Sequence, residues 1–203
     1  FISPFCIQKR IKSALCDLKI FCAVERCTIF GGSFNEKGRK LYPTMLYLLT
    51  KTVNRYEEFR MALRDDGKIA LFADMVPSYT VFHKDTETFS NLWTEYSEDY
   101  ETFCSRYEED LRKFGNTEGF LGKPNVPENS FTVSMLPWTS FDGFNLHING
   151  FTYLLPIFTM GKYYEEGGGI WLPLAVQVHH AVCDGFHVCR FINDLQAKLD
   201  ALP

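Results

Sequence analysis

Residues 177–191 read QVHHAVCDGFHVCRF. The stretch opens as the end of an apolar run, IWLPLAVQV at 170–178, which has the composition of a buried strand. It closes inside FHVCRFINDLQAKLDAL at 186–202, where Val188, Phe191, Ile192, Leu195 and Leu199 share one side of a helix. Gly185 opposes a continuous helix through the motif, and Asp184 is well placed as the N-cap. A strand therefore ends, and a helix begins, across three of the chain's five histidines. In a strand, His179 and His180 point to opposite sides, so only one of them can face a given cleft.

These residue types admit three readings. Asp184 can serve as a cap while the histidines are satisfied core or surface groups. A metal site would use His180 with Asp184 and Cys183 with His187, but these spacings converge only if a helix spans the motif. The third reading is a general base: an imidazole held at a strand end, close to a carboxylate.

Moving outward, the chain has 203 residues, suited to one domain with a sizeable core and too short for two comfortable ones. Apolar residues make up 46%, with 19 Phe and 10 Tyr, which argues for a packed globular fold over a disordered chain. The formal net charge of -4 lacks the basic footprint of a nucleic-acid binder, so an anionic ligand would need local lysines. No apolar run reaches the length of a membrane span, and FISPFCIQKRIKSALC at the N-terminus does not read as a signal peptide. Seven cysteines without zinc-knuckle spacing read as reduced thiols in a cytoplasmic protein.

The spacing of Ile7, Ile11, Ala14, Leu15 and Leu18 predicts an amphipathic helix. A strand follows in FCAVERCTIF at 21–30, stopped by Gly31 and Gly32. YPTMLYLLTKTVNRYEEF at 42–59 predicts a helix with Pro43 in its first turn and Met45, Leu48, Leu49, Val53 and Tyr56 on its buried face. A hairpin turning at Asp66-Gly67 is expected over 59–72, and a short strand over SYTVFH at 78–83. Tyr96, Tyr100, Phe103, Tyr107, Leu111 and Phe114 predict a helix stopped by Gly115, their aromatic stripe being core packing. Beyond GKPNVPENS, strands are expected in FTVSMLPW (131–138), FNLHING (144–150), YLLPIFTMGKYY (153–164) and the 170–178 run, EEGGG joining the last two. Without regular βαβ alternation this is an α+β sandwich of two layers, with packed helices on a mixed, largely antiparallel sheet.

HHAVCDGFHVCRF resembles the active-site signature of the chloramphenicol acetyltransferases, a branch of the acyl-CoA-dependent acyltransferases with an HHxxxDG motif. KLYPTMLYLLTKTVNRYEEFRMA, PSYTVFHKDTETFSNLWTEY, PENSFTVSMLPWTSFDGFNL and YLLPIFTMGKYY also resemble family segments, in the family order. The resemblance covers Arg39 to the C-terminus and makes residues 1–203 a single acetyltransferase domain whose segment 1–36 is divergent. It implies His180 as the base that takes a proton from the acceptor hydroxyl, and Ser134 as donor to the tetrahedral oxyanion. Thr159 would act near that intermediate through a water. Asp184 would anchor the loop, and the tautomer of His180 would be fixed by its own backbone carbonyl.

The same resemblance places Phe89, Thr80, Phe144, Leu146 and Ile148 in an apolar antibiotic pocket. Lys40, Tyr42, Trp138, Lys162 and Tyr163 would bind acetyl-CoA, the cosubstrate, and no metal is implied. It further implies a homotrimer with each site at a subunit interface. The expected function is acetyl-CoA-dependent O-acetylation of chloramphenicol, conferring antibiotic resistance. The alternatives are an acyltransferase for another hydroxyl or thiol acceptor, or an inactive CoA- or drug-binding relative. The family's N-terminal arginine partner for Asp184 has no clear counterpart in residues 1–36.

Overall fold

The computed structural model describes residues 20–29, 39–64, 66–146 and 153–202, with Cys27 the one side chain described in the first segment. The helix expected over 7–18, the stop at Gly31-Gly32, and residues 147–150 of the FNLHING segment lie outside this set.

Nine strands and three α-helices are described: β1 (Ile20–Ile29), α1 (Leu41–Arg55), β2 (Met61–Leu63), β3 (Ile69–Leu71), β4 (Val76–His83), β5 (Thr88–Trp93), α2 (Tyr100–Phe114), β6 (Ser130–Met135), β7 (Ile157–Met160), β8 (Tyr164–Glu166), β9 (Gly169–His179) and α3 (Gly185–Asp200). The main sheet runs β1-β9-β7-β6-β4-β5, with β8 also paired to β9. Among the described strand pairs, β4–β6 and β6–β7 are parallel. The remaining contacts of the sheet are antiparallel, so it is mixed and largely antiparallel, as expected.

The apolar composition of β9 follows from its position. It is flanked by β1 along nearly its whole length and by β7 and β8 on the other side, and it is buried from Leu172 to His179. Pro173, which has no N–H to give, sits where β8 has ended and β7 has not begun. There its carbonyl accepts from Gly161 N at 2.9 Å. Gly167 and Gly168 make the β8–β9 turn with φ of +61° and +81°, conformations that a side chain would strain. The short β2–β3 hairpin turns at Gly67, again with positive φ, as its Asp-Gly dipeptide predicts.

Helix α1 is buried on more than the single face that its periodicity predicts: Pro43 to Thr50, Thr52 and Val53 are all inside. It packs against both α2 and α3 as well as against the sheet, so little of its circumference meets water. Helix α2 starts later than the aromatic spacing suggests. Asp99 caps it by accepting from Thr102 N at 2.9 Å, which leaves Tyr96 before the helix, stacked on Tyr47. The helix ends at Gly115 as expected, but in right-handed geometry with φ of -64°, not the left-handed cap.

Two strand expectations are corrected. YLLPIFTMGKYY is two strands, because after Gly161, whose N–H still donates to Pro173 of β9, the Lys162 N–H turns away to the Thr139 carbonyl at 2.8 Å. Residues 144–146 are not strand, since Leu146 N is satisfied by the Gln177 side chain at 3.0 Å and not by a ladder. One strand was missed altogether: β5, whose KDTETFSNLW context lacks a clean alternation.

Phe59, Phe191, Phe158 and Phe131 form a buried ring chain from the 3₁₀ turn Glu57–Phe59 through α3 to β7 and β6, with centroids 4.6, 5.3 and 5.6 Å apart. Such pairs add about 0.5–1.5 kcal/mol each beyond their burial. They lock the helix that follows the histidine motif to the strands that carry Ser134 and Thr159. No helix among the described residues is long and apolar enough to cross a membrane.

Candidate active site

Ser134 stands on β6 directly opposite Thr159 on β7, and Thr159 in turn is opposite Ala175 on β9. Alternation along β6 buries Phe131 and Val133 in the core and sends Ser134 to the other face. The serine lines a cavity of about 520 Å³ together with Tyr42, Thr80, Val81, Phe82, Phe89, Tyr107, Leu111, Met135, Leu136, Pro137 and Trp138. Five of the residues predicted from the sequence therefore meet here: Ser134, Thr80, Phe89, Tyr42 and Trp138. Thr159 is buried beside them by register.

The cavity wall is apolar and aromatic. Trp138 packs edge-on to Phe82 with centroids 4.6 Å apart, and both are exposed at the rim. Tyr42 donates its hydroxyl to the Thr80 carbonyl at 3.2 Å, and burial pushes this phenol well above its ordinary range. Burial likewise pushes Tyr107 up to about 12, so these phenols remain neutral donors at physiological pH. Tyr107 and Leu111 are contributions that the sequence did not reveal. The three-or-four spacing of α2 marks an apolar face but cannot separate core from cavity wall.

The other predicted positions are dispersed. Lys40 is exposed as the N-cap residue of α1, and its Nζ donates to Glu108 at 3.0 Å. Lys162 is exposed and its N–H donates to the Thr139 carbonyl at 2.8 Å; Tyr163 is exposed beside it. Phe144 packs on Phe141, and Leu146 hangs from Gln177. Neither lines the cavity, and Ile148 lies outside the described residues.

The histidine motif folds as strand, turn and helix. His179 is buried as the last residue of β9, its Nδ1 accepting from Ala181 N at 3.1 Å. His180 starts the turn and is only half-buried. Its Nδ1 lies 3.2 Å from the Cys183 carbonyl, a contact that puts the proton on Nδ1 and leaves Nε2 with a lone pair. This corrects the expectation that the ring is held by its own carbonyl. Once the chain turns at 181–183, the carbonyl three residues on comes within reach.

Asp184 is the N-cap of α3, accepting from Phe186 N and His187 N at 3.1 and 3.3 Å. His187 closes the capping box by accepting from Asp184 N at 3.2 Å. The helix starts at Gly185, so the His180/Asp184 and Cys183/His187 spacings are not helical pairs. Among the described residues no three His, Cys, Asp or Glu groups gather to hold a metal.

Within one chain His180 and Ser134 lie far apart. Ser134 is in register with Ala175 through Thr159, and His180 comes five residues later, roughly 16 Å along the strand direction. The cavity accordingly holds the serine without the histidine.

The family model described as chloramphenicol acetyltransferase matches residues 8–196. The chain belongs to the chloramphenicol acetyltransferase family. The match reaches well into the 1–36 segment that the motif resemblance set aside as divergent. A chloramphenicol acetyltransferase of Vibrio anguillarum is 58% identical over 164 residues, covering 80% of this chain and 76% of its own. One from Campylobacter coli is 60% identical over 166 residues, 81% of this chain and 80% of its own. Among solved structures, a chloramphenicol acetyltransferase superposes with TM-score 0.75 at 20% identity, over 94% of this chain and 95% of that one. The dihydrolipoamide acetyltransferase of Azotobacter vinelandii shares the fold, with TM-score 0.70 at 16% identity over 96% of this chain and 86% of its own. This family membership makes the protein an acyltransferase.

Cys183, beside the histidine, is not a reactive thiol. It is 1% exposed and its Sγ donates to the Glu58 carbonyl at 3.4 Å. Burial, with the Glu58 and Asp184 carboxylates nearby, holds it well above the ordinary thiol range. Cys189, one turn into α3, is exposed. Iodoacetamide should therefore alkylate Cys189 in the native protein and spare Cys183 until the chain is unfolded. Peptide mass spectrometry distinguishes the two, and native labelling of Cys183 would contradict the assignment.

Proposed function

We propose that this protein transfers the acetyl group of acetyl-CoA to the primary hydroxyl of chloramphenicol, inactivating the antibiotic. The observation that carries this reading is the 58% identity to the Vibrio anguillarum chloramphenicol acetyltransferase across 80% of the chain. The cavity fits the assignment: about 520 Å³ of apolar, aromatic wall with a few polar groups suits a drug-sized alcohol.

In this reading His180 accepts the hydroxyl proton on Nε2 as that oxygen attacks the thioester carbonyl. The Cys183 carbonyl keeps Nδ1 protonated and supports the imidazolium that results. Ser134 donates its hydroxyl to the tetrahedral oxyanion, with Thr159 opposite it on β7 acting through a water. His180 then returns its proton to the departing CoA thiolate, so the base is regenerated and no covalent enzyme intermediate forms. Thr80, Phe89, Phe144, Leu146 and Ile148 are assigned to the antibiotic. Tyr42, Trp138, Lys40, Lys162 and Tyr163 are assigned to acetyl-CoA, the lysines supplying local positive charge on a chain of net charge -4.

The register argument supports a site shared between subunits, as in the homotrimer that the family implies. A base some 16 Å of strand away from the oxyanion donor in its own chain must work with the serine of a neighbouring copy. Two experiments test the reading. Thiol release from acetyl-CoA, followed with a panel of acceptors, should be fastest with chloramphenicol; a faster rate with unrelated alcohols or thiols would point to another acceptor. Co-expressing His180→Ala and Ser134→Ala chains should recover about a quarter of the wild-type activity, because random assembly completes one site in about four. No recovery would place both residues in the site of one chain.

A further inference from the structure

The 3₁₀ turn Glu57–Phe59 grips the histidine motif at four points. The backbone carbonyl of Glu58 accepts from Cys183 Sγ at 3.4 Å. Its carboxylate accepts from Arg190 Nη2, 3.1 Å from each oxygen, and Oε1 lies 3.4 Å from His187 Nε2. His187 in turn accepts from the Asp184 N–H on Nδ1 at 3.2 Å. The guanidinium of Arg190 is kept in place by the Tyr56 ring, 4.4 Å from its centroid. Phe59, the last residue of the turn, stacks on Phe191 of α3 at 4.6 Å.

These contacts converge on the peptide that orients His180. The Cys183 carbonyl meets His180 Nδ1, the Cys183 N–H donates to the His179 carbonyl at 3.1 Å, and the Cys183 side chain is tied to Glu58. One residue later, Asp184 is fixed by the cap of a helix whose first turn is itself held by Glu58. The turn at 180–183 is thus strung between the end of β9 and an α3 terminus clamped to a separate element. An imidazole on such a turn keeps one orientation and one tautomer only while both ends are fixed.

We infer that Glu58 is a positioning residue for His180: its carboxylate, through Arg190, His187 and Asp184, fixes the α3 end of the turn that holds the imidazole with its proton on Nδ1 and Nε2 free, while its backbone carbonyl, which any residue would supply, takes Cys183. The inference rests on the reading of His180 as the base. Glu58 itself touches neither His180 nor the cavity, and nothing in the YEEF sequence distinguishes it from its neighbour Glu57.

The test uses the full chain in its native assembly. Steady-state kinetics with chloramphenicol and acetyl-CoA are combined with nitrogen-15 signals of labelled histidine, which report the tautomer of His180 directly. In the wild type the His180 signals should show protonated Nδ1 and unprotonated Nε2. Glu58→Ala should lower kcat roughly 10- to 100-fold with both KM values little changed, and should move the His180 signals toward a mixture of tautomers. Glu58→Gln, which retains an acceptor oxygen without the charge, should fall between the two in both measurements.

Wild-type signals and wild-type kcat in Glu58→Ala would overturn the inference. So would a loss of kcat with unaltered ring signals, because a merely destabilised fold would do that. If the alanine variant does not fold, Glu58→Gln decides: a tautomer shift supports the clamp and wild-type signals reject it. Should the wild type release no CoA with chloramphenicol, the proposed reaction fails, yet the ring signals still decide whether Glu58 orients His180.

Discussion

His180→Ala should reduce acetylation of chloramphenicol on the order of 10⁴-fold or more, with the assembly intact and both substrates still bound. General-base catalysis alone contributes roughly 10²–10⁴-fold, and an imidazole that also orients the acceptor hydroxyl adds to this through positioning. The structure accounts for the size of the effect. His180 Nδ1 faces the Cys183 carbonyl, so Nε2 is the ring's free acceptor, and removing the ring leaves the turn without another base. Neighbouring His179 cannot substitute, because it is buried on the strand with its Nδ1 engaged by Ala181 N. His180→Asn separates the chemical role from the structural one, since the amide can donate to Cys183 but cannot accept a proton in catalysis. The asparagine variant should be as inactive as alanine while melting close to the wild type. Either variant retaining activity within tenfold of the wild type would remove His180 from the mechanism.

Ser134→Ala should cost roughly 10²–10³-fold, the usual effect of losing one preorganised oxyanion donor. Ser134 lies outside the buried positions of β6 and lines a cavity whose wall is largely apolar and aromatic. The variant loses a donor where charge develops and gains only a slightly larger cavity. Because the bond strengthens as the carbonyl becomes an oxyanion, kcat and kcat/KM should fall together while KM stays nearly constant. A rise in KM at constant kcat would make Ser134 a ground-state contact, and an unchanged rate would exclude it.

Much of the framework was legible in residue order. Helices α1 and α3 have long, periodic apolar faces, and the β2–β3 and β8–β9 turns carry Asp-Gly and Gly-Gly dipeptides that few other structures accept. The boundary within the histidine motif was also readable, because Gly185 and Asp184 are local signals whose meaning does not depend on distant residues. Legibility failed where the determining partner is remote. The α2 stripe is one apolar face, yet Phe103 enters the core while Leu111 lines the cavity. The split of YLLPIFTMGKYY goes with the Lys162 N–H bonding to the Thr139 carbonyl of a loop distant in the chain.

The sequence by itself determined that this chain has an HHxxxDG motif at a strand-to-helix junction, with a serine and a threonine on separate strands. These are properties of near neighbours: periodicity, a capping side chain and a breaker residue. Only the tertiary structure decided that Ser134, Thr80, Tyr42, Phe89 and Trp138 share one cavity, and that His180 stands at the opposite end of the sheet from it. Strand register decides this, and it is fixed by packing between segments far apart in the chain, since a shift of one residue would turn every side chain to the other face. The same long-range packing brings Glu58 against the histidine motif, 125 residues from the cysteine that its carbonyl holds.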